Sequence, residues 1–447
     1  MKNNEKYGVV LGGGGAKGAY EIGVWKALSE LGIYVEVVVG TSVGALNGAI
    51  MVQGDFDIAY NMWNDLTMSK IINFGQEKNI LTHKNLSLVS IINTIKSSLL
   101  SGGMDVTPLK ELLYTVIDEK KIRESKIDFG IVTFSLTDFK PINIFIKDIP
   151  EGRLIEYLLA SSCFPTFKPQ IIDEKRYVDG GIYDNIPISL ICEKSKNIII
   201  VDVSGLGRIK KVDTSNNKII YIKNSEYLGR TLQFNEESSK NNIELGYFDT
   251  LRAFGKTIGK QYYIVDTEIC KGSKNKFAND LEEKEIEKIY AFYGSNINES
   301  NSNITSSIKF RLLRKIRKYI TGELNGHSVI ISMAEICSEC LGIHRIQIYS
   351  LEQLIEEIMK EFENYKKATL ETNNIFSISK VDSLNKALVF YEPDLNEVSP
   401  SIIKKRILIA LSQPKYAIAN LFFSLLLNRK LEDAKLKEFK IKEEIVK

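Results

Sequence analysis

The sequence predicts a layered α/β domain with a mainly parallel sheet, followed by a mostly helical C-terminal module. Three observations predict it. Runs rich in β-branched residues alternate with helix-period stretches through the first half. The opening strand, helix and strand follow in the order of a parallel pair joined by a right-handed crossover. After about Asp266 the composition turns first polar, then helical and charged.

Tyr7 to Leu11 reads as a short strand and Gly12 to Gly15 as a turn. Ala19 to Leu31 reads as a helix, with Tyr20, Val24, Ala27, Leu28 and Leu31 on one face. The apolar run Val35 to Val39 is the next strand and Val43 to Gln53 the next helix. Further strands are expected at Ile127 to Ser135, Ile142 to Ile146, Ile198 to Val203 and Tyr262 to Val265, each β-branched or aromatic. In Gly103 to Leu109, Thr107 reads as a helix cap with Pro108 at the first helical position. Lys271 to Lys276 is polar and Ser295 to Ser307 is rich in Asn and Ser, which suggests a linker. The expected organisation is a catalytic domain over residues 1–268, a polar segment over 269–306 and a helical module over 307–447.

Length and composition narrow the classes. A chain of 447 residues is too long for one ordinary core. Lys plus Arg number 59 against 56 Asp plus Glu, a net charge of +3, so nothing in the overall balance points to nucleic acid. The N-terminal residues lack the long apolar core of a secretory signal, and five cysteines, an odd number, suit a reducing cytoplasm. The longest apolar stretch, Ile407 to Leu427, is interrupted by Gln413, Pro414, Lys415 and Asn420, and reads as a buried helical hairpin broken at Pro414.

The chemistry-bearing signal is Gly40-Thr41-Ser42-Val43-Gly44, the form of a nucleophile elbow between strand and helix. Glycines at 40 and 44 allow the sharp turn, and the N-terminus of the following helix favours a developing oxyanion at Ser42. Upstream, Gly12-Gly13-Gly14-Gly15-Ala16-Lys17-Gly18 has the spacing of a dinucleotide fingerprint, but the second strand ends in Ser42 and lacks the acidic residue that motif needs. A phosphate-binding P-loop fails as well, because Lys17 precedes Gly18 and no Ser or Thr follows. An oxyanion hole built from the amides of Gly13, Gly14 and Gly15 is the better reading. The three histidines are poorly placed as a base: His83 sits in a polar segment, and His327 and His344 lie in the C-terminal module. Asp179, in Tyr177-Val178-Asp179-Gly180-Gly181, ends a short strand before a tight turn and is the candidate base, provided that burial raises its basicity.

The glycine-rich loop, the Ser42 elbow and Asp179-Gly180-Gly181 together resemble the patatin-like phospholipases, which use a Ser-Asp dyad without histidine. Ala160-Ser161-Ser162-Cys163-Phe164-Pro165, Phe167-Lys168-Pro169 and Asn185-Ile186-Pro187 extend the resemblance, which spans roughly residues 6 to 266. It implies a three-layer α/β/α domain and a lipid acyl hydrolase of phospholipase A or lysophospholipase type. Ser42 is then the nucleophile, Asp179 the base, Gly13 to Gly15 the oxyanion hole, Gly40 and Gly44 the elbow, and Lys17, Gly180 and Gly181 supports. Lys17 stands where the family most often has arginine, so it keeps the charge but not the planar fork. Neither cofactor nor metal is implied. Cys337, Cys340 and His344 offer no fourth ligand and read as helical core residues.

A phospholipase works at an interface. Lys309 to Lys318 mixes basic residues with Ile308, Phe310, Leu312, Leu313, Ile316, Tyr319 and Ile320, a pattern that fits an anionic lipid surface or an ordinary packed helix. Lys84 to Leu100 carries an apolar stripe that fits a lid or a core helix. The expected setting is cytoplasmic, with peripheral membrane contact. Two other functions fit less directly: a membrane-damaging effector whose C-terminal module gates the same chemistry, and a catalytically silent lipid-binding scaffold.

Overall fold

A computed structural model of the chain describes residues 5–73, 103–265, 302–324, 326–371, 386–391 and 399–428. His83 and the stripe from Lys84 to Leu100 lie outside the described residues. The chain divides into two compact units, Met1–Phe254 and Gly255–Lys447.

Unit 1 is built on an eight-stranded sheet. Its elements begin with β1 (Lys6–Leu11), α1 (Ala19–Glu30), β2 (Tyr34–Thr41), α2 (Val43–Gln53) and α3 (Phe56–Asp65). After α4 (Thr107–Val116) and α5 (Glu119–Glu124) come β3 (Asp128–Ser135), β4 (Lys140–Phe145), α6 (Leu154–Ser161), β5 (Gln170–Ile172) and β6 (Lys175–Asp179). The unit closes with β7 (Asn197–Asp202), β8 (Lys218–Lys223) and α7 (Glu236–Ala253). The strand order is β5-β6-β3-β2-β1-β7-β8, with β4 on β3. Pairs among β3, β2, β1, β7 and β8 are parallel, and β4, β5 and β6 add antiparallel pairs at one side.

The central strands are apolar on both faces because both are covered. Val10, Val37, Val39, Ile198 and Ile200 pack with Ile186 and Ile191 on one side. On the other, Val38, Leu11 and Phe129 meet α2 at Gly48. The helix expected at Ala19 to Leu31 forms, but it is buried nearly all round rather than on a single face. Its neighbours α7, α2 and α3 leave little of it in water.

One consequence of that burial is Glu21, 2 % exposed on α1. Its Oε2 accepts from Asn47 Nδ2 at 2.7 Å, while Oε1 has no partner among the described residues. Burial pushes the carboxyl up to about 8, against the Asn47 hydrogen bond, which favours the charged form. Thr107 is not the cap of α4: the carboxylate of Asp105 accepts from both the Thr107 amide (3.1 Å) and its hydroxyl (2.7 Å), so the capping acceptor comes from two residues upstream. Pro108 does sit in the first turn, where its missing N–H costs nothing.

Unit 2 contains β9 (Tyr263–Ile264), α8 (Ser302–Arg317), α9 (Gly326–Leu341), β10 (Ile348–Tyr349), α10 (Leu351–Glu371) and α11 (Pro400–Ser412), followed by a helix over residues 414–428. The strand expected near Tyr262 pairs in parallel with β10 rather than joining the large sheet. Glu335 Oε1 holds the turn before β9, accepting from the amides of Lys260, Gln261 and Tyr262 at 2.7, 2.8 and 2.8 Å. The polar stretch toward Ser307 becomes helical from Ser302 onward. α11 stops before Pro414, and the helix after it buries Ile418, Leu421, Phe422 and Phe423. Asn420, which breaks that apolar run, donates to the carbonyls of Val389 (2.8 Å) and Tyr391 (2.9 Å), so its amide is satisfied inside the core. No helix among the described residues is long and apolar enough to cross a membrane.

A carboxyl whose pKa is raised by folding contributes stability that is complete below the unfolded value and is lost as pH rises through the folded one. Glu21→Gln, which keeps the size and the acceptor for Asn47, is therefore expected to gain on wild type between pH 5 and pH 8, by at least about 2 °C in Tm. Parallel melting temperatures across that range would show that Glu21 is not a neutral buried acid.

Candidate active site

The site lies at the C-terminal edge of the parallel strands, where α/β sheets place their ligands. Register brings its parts together. Thr41 at the end of β2 pairs with Val132, and the next residue of β3, Thr133, pairs with Asp179. A single strand, β3, thus lies between the elbow and the carboxylate, so that two inter-strand spacings, roughly 10 Å, part their backbones, a distance that two inward-leaning side chains can close. β1 ends beside β2, so the glycine loop that follows it borders the same edge.

Ser42 adopts φ 56° and ψ −127°, outside the favourable regions for an L-residue. What holds it there is the close approach of strand and helix. A Cβ at Gly40 would lie 2.3 Å from the Gly44 backbone, and one at Gly44 would lie 2.4 Å from the Leu11 carbonyl oxygen. The Ser42 amide donates to Ser161 Oγ at 3.0 Å, and the Ser161 hydroxyl donates to the Val132 carbonyl at 2.6 Å. A side chain on α6 thereby fixes the elbow to the middle of the sheet.

Asp179 is 6 % exposed. Its Oδ1 accepts from the Gly181 amide at 2.7 Å, and its own amide donates to the Cys163 carbonyl at 2.7 Å. The Ser42 hydroxyl is within hydrogen-bonding reach of the carboxylate. Burial pushes Asp179 up to about 6, and the hydrogen bonds from Ser42 and Gly181 only partly offset it. This is a carboxylate that is charged at neutral pH yet far more basic than one in water. Gly180 and Gly181 shape the short turn that presents the Gly181 amide.

The glycine loop divides its work. The Gly13 amide donates to the Asn185 carbonyl at 3.0 Å and the Gly13 carbonyl accepts from Asn185 Nδ2 at 3.0 Å, so Gly13 is a structural tie and not a donor to an oxyanion. Gly14 and Gly15 line the same cavity as Ser42 and Asp179, and their amides have no acceptor among the described residues. Lys17 is 8 % exposed, and its amine donates to the Ser204 carbonyl at 2.6 Å. Burial lowers its pKa, opposed by the charge of Asp202. A single lysine amine suffices to pin one carbonyl, so the missing planar fork of arginine is not needed there.

The cavity measures about 310 Å³. Away from Ser42 its wall is apolar, formed by Leu46, Ile50, Trp63, Leu109, Leu113 and Phe164. Asn47 sets this wall: its Nδ2 donates to Gly18 O (2.9 Å) and Glu21 Oε2 (2.7 Å), while its Oδ1 accepts from Trp63 Nε1 (2.9 Å). Sequence reasoning missed Ser161, Asn47 and Trp63. Ser161 stood inside a segment already noted for its resemblance, but its partner at Ser42 is 119 positions away.

His327 and His344 belong to unit 2, whereas Ser42 and Asp179 both belong to unit 1. Cys163 does not act as a thiolate, since burial pushes it up to about 11. Cys337 and Cys340 are buried in the apolar core of unit 2, with their thiols raised by burial.

Residues 9–191 match the family model of the patatin-like phospholipases. Among characterised relatives, patatin-like phospholipase domain-containing protein 7 of Rattus norvegicus is 26% identical over 200 residues, covering 44% of this chain and 13% of that protein. Lysophospholipase NTE1 of Mycosarcoma maydis is 26% identical over 204 residues, covering 44% of this chain and 10% of that protein. The aligned region is thus a small part of those relatives. The crystal structure of VipD from Legionella pneumophila covers 94% of this chain and 92% of its own at 16% identity and a TM-score of 0.38, too distant a likeness to speak to function.

Ser161→Ala would leave the Ser42 amide and the Val132 carbonyl without their shared partner inside the protein. Denaturant unfolding should show a loss of about 1–3 kcal/mol. An unchanged midpoint and slope would mean that the Ser161 hydroxyl does not hold the elbow.

Proposed function

We propose that this chain is a lipid acyl hydrolase of the phospholipase A or lysophospholipase type, acting through Ser42 and Asp179. The observation that carries the proposal is the placing of a strained serine hydroxyl against a buried carboxylate of raised basicity, at one end of an apolar cavity. The names of the relatives, patatin-like phospholipase and lysophospholipase, support the same substrate class.

In this reading Ser42 Oγ attacks the ester carbonyl as Asp179 takes its proton. The amides of Gly14 and Gly15 donate to the oxyanion as it forms, in a place where water does not compete. The alkoxide leaves with a proton from Asp179, and the acyl chain remains on Ser42 with its tail along Leu46, Ile50 and Trp63. Water then attacks the acyl-enzyme as Asp179 takes its proton, and collapse of the intermediate passes that proton to Ser42 Oγ as the fatty acid departs. A carboxylate near 6 takes the serine proton far more readily than one near 4 would.

Unit 1 holds the catalytic residues in this reading, and the module beyond about residue 306 has a separate role. One part of that role is contact with a lipid surface through α8. Ile308, Leu312, Ile316 and Tyr319 are taken up by the core of unit 2, but Phe310 and Leu313 remain exposed beside Arg314, Arg317 and Lys318. The expected attachment is peripheral.

Product mass spectrometry on mixed phosphatidylcholine and lysophosphatidylcholine vesicles tests the proposal. Wild type should release fatty acid, and Ser42→Ala and Asp179→Asn should each be at least about 10³-fold slower with the fold retained. Substantial turnover by either variant would refute the dyad. Replacing His83, His327 and His344 together should leave turnover largely intact. The acid limb of kcat/KM should titrate near pH 6, with activity lost below it as Asp179 takes up its proton. A profile flat from pH 7 to pH 5 would exclude Asp179 as the base.

A further inference from the structure

The segment Ser204-Gly205-Leu206-Gly207-Arg208-Ile209-Lys210-Lys211 follows β7 and borders the cavity, where Leu206 and Gly207 form part of the wall. Its large apolar side chains face water: Leu206 is 72% exposed and Ile209 51%. Ile182, on the neighbouring turn and also lining the cavity, is 44% exposed. Arg208 and Lys211 are exposed as well, and Lys210 lies 3.4 Å over the ring of Tyr183. Residues 203–212 contain three cationic side chains and no carboxylate.

The loop is held in this posture by its backbone. The Ser204 carbonyl accepts from Lys17 at 2.6 Å. A Cβ at Gly205 would lie 1.8 Å from the Gly13 carbonyl oxygen, so only glycine lets the loop rest on the glycine-rich turn. The Arg208 amide donates to Gly181 O at 2.9 Å, and its carbonyl accepts from the Asn185 amide at 2.6 Å. Both site loops therefore fix the segment, and Leu206 and Ile209 project from a braced support. Exposing two such side chains among cations has a cost in water that a lipid surface would remove.

We infer that the segment from Leu206 to Lys211 is the surface by which unit 1 docks on an anionic bilayer, with Leu206 and Ile209 in the headgroup layer and Arg208 and Lys211 on lipid phosphates. The inference rests on the lipid-hydrolase reading and locates where that substrate enters. Charge complementarity selects anionic lipid over neutral lipid, and continuity of Leu206 with the cavity wall gives an acyl chain a path to Ser42 that avoids water. This surface is distinct from α8.

Vesicle co-sedimentation of the full chain in the Ser42→Ala background tests it, since no hydrolysis then alters the bilayer. Binding should rise as phosphatidylglycerol replaces phosphatidylcholine and fall with salt. Arg208→Gln with Lys211→Gln should lower the partition coefficient at least about tenfold, and Ile209→Asp alone should lower it as well, each with an unchanged melting temperature. Wild-type-like binding by both variants, or loss only on replacing Arg314, Arg317 and Lys318 of α8, would overturn the inference. No binding of the parent chain to anionic vesicles would also overturn it, and would leave the loop to an acidic protein surface. Failure of the hydrolase reading is seen separately: the chain with Ser42 intact would release no fatty acid in product mass spectrometry whether or not vesicles bind.

Discussion

The arrangement at the sheet edge depends on keeping one carboxylate out of water without giving it a cation. Among the described residues Asp179 receives an amide from Gly181 and the nearby hydroxyl of Ser42, and nothing stronger. A lysine or arginine in contact would hold the group ionised and depress its basicity, whereas full isolation would keep it protonated at neutral pH. The two hydrogen bonds leave it between these limits.

That balance requires several backbones to lie closer than side chains would permit. The elbow reaches Asp179 because Gly40 and Gly44 let strand and helix touch, and because Ser161 ties the Ser42 amide to β3. The Gly13 and Asn185 pair ties the glycine loop to the turn after Asp179. Spending the Gly13 amide in this way leaves Gly14 and Gly15 facing the cavity with donors to offer. A buried polar set formed by Glu21, Asn47 and Trp63 then sets the apolar wall on the far side of Ser42. Packing and chemistry are therefore not separable here: the same hydrogen bonds that stabilise unit 1 shape the site.

Unit 2 is organised by different means. Its helices close on a large apolar cluster, and among its buried polar side chains Glu335, on the turn before β9, and Asn420, on the carbonyls of Val389 and Tyr391, satisfy backbone groups that helices cannot reach. A buried glutamate on three amides is an anchor for a turn.

Local signals were legible in the sequence wherever a short range of residues decides the outcome. The strands and helices around Ser42, the elbow itself and the tight turn after Asp179 follow from β-branched runs, helix periodicity and glycine placement, all of which act over a few residues. The break at Pro414 follows from a missing N–H. Pairings between distant residues were decided only by the tertiary structure. The sequence alone did not reveal that Gly13 would lose its amide to Asn185, that Asp105 would displace Thr107 as the cap, that the strand near Tyr262 would find Ile348–Tyr349, or that Glu21 would be buried. Each outcome depends on which groups folding brings within about 3 Å of one another. Chemistry that needs a residue type at a fixed local spacing was determined by the sequence, and the partners, burial and basicity of those residues by the fold.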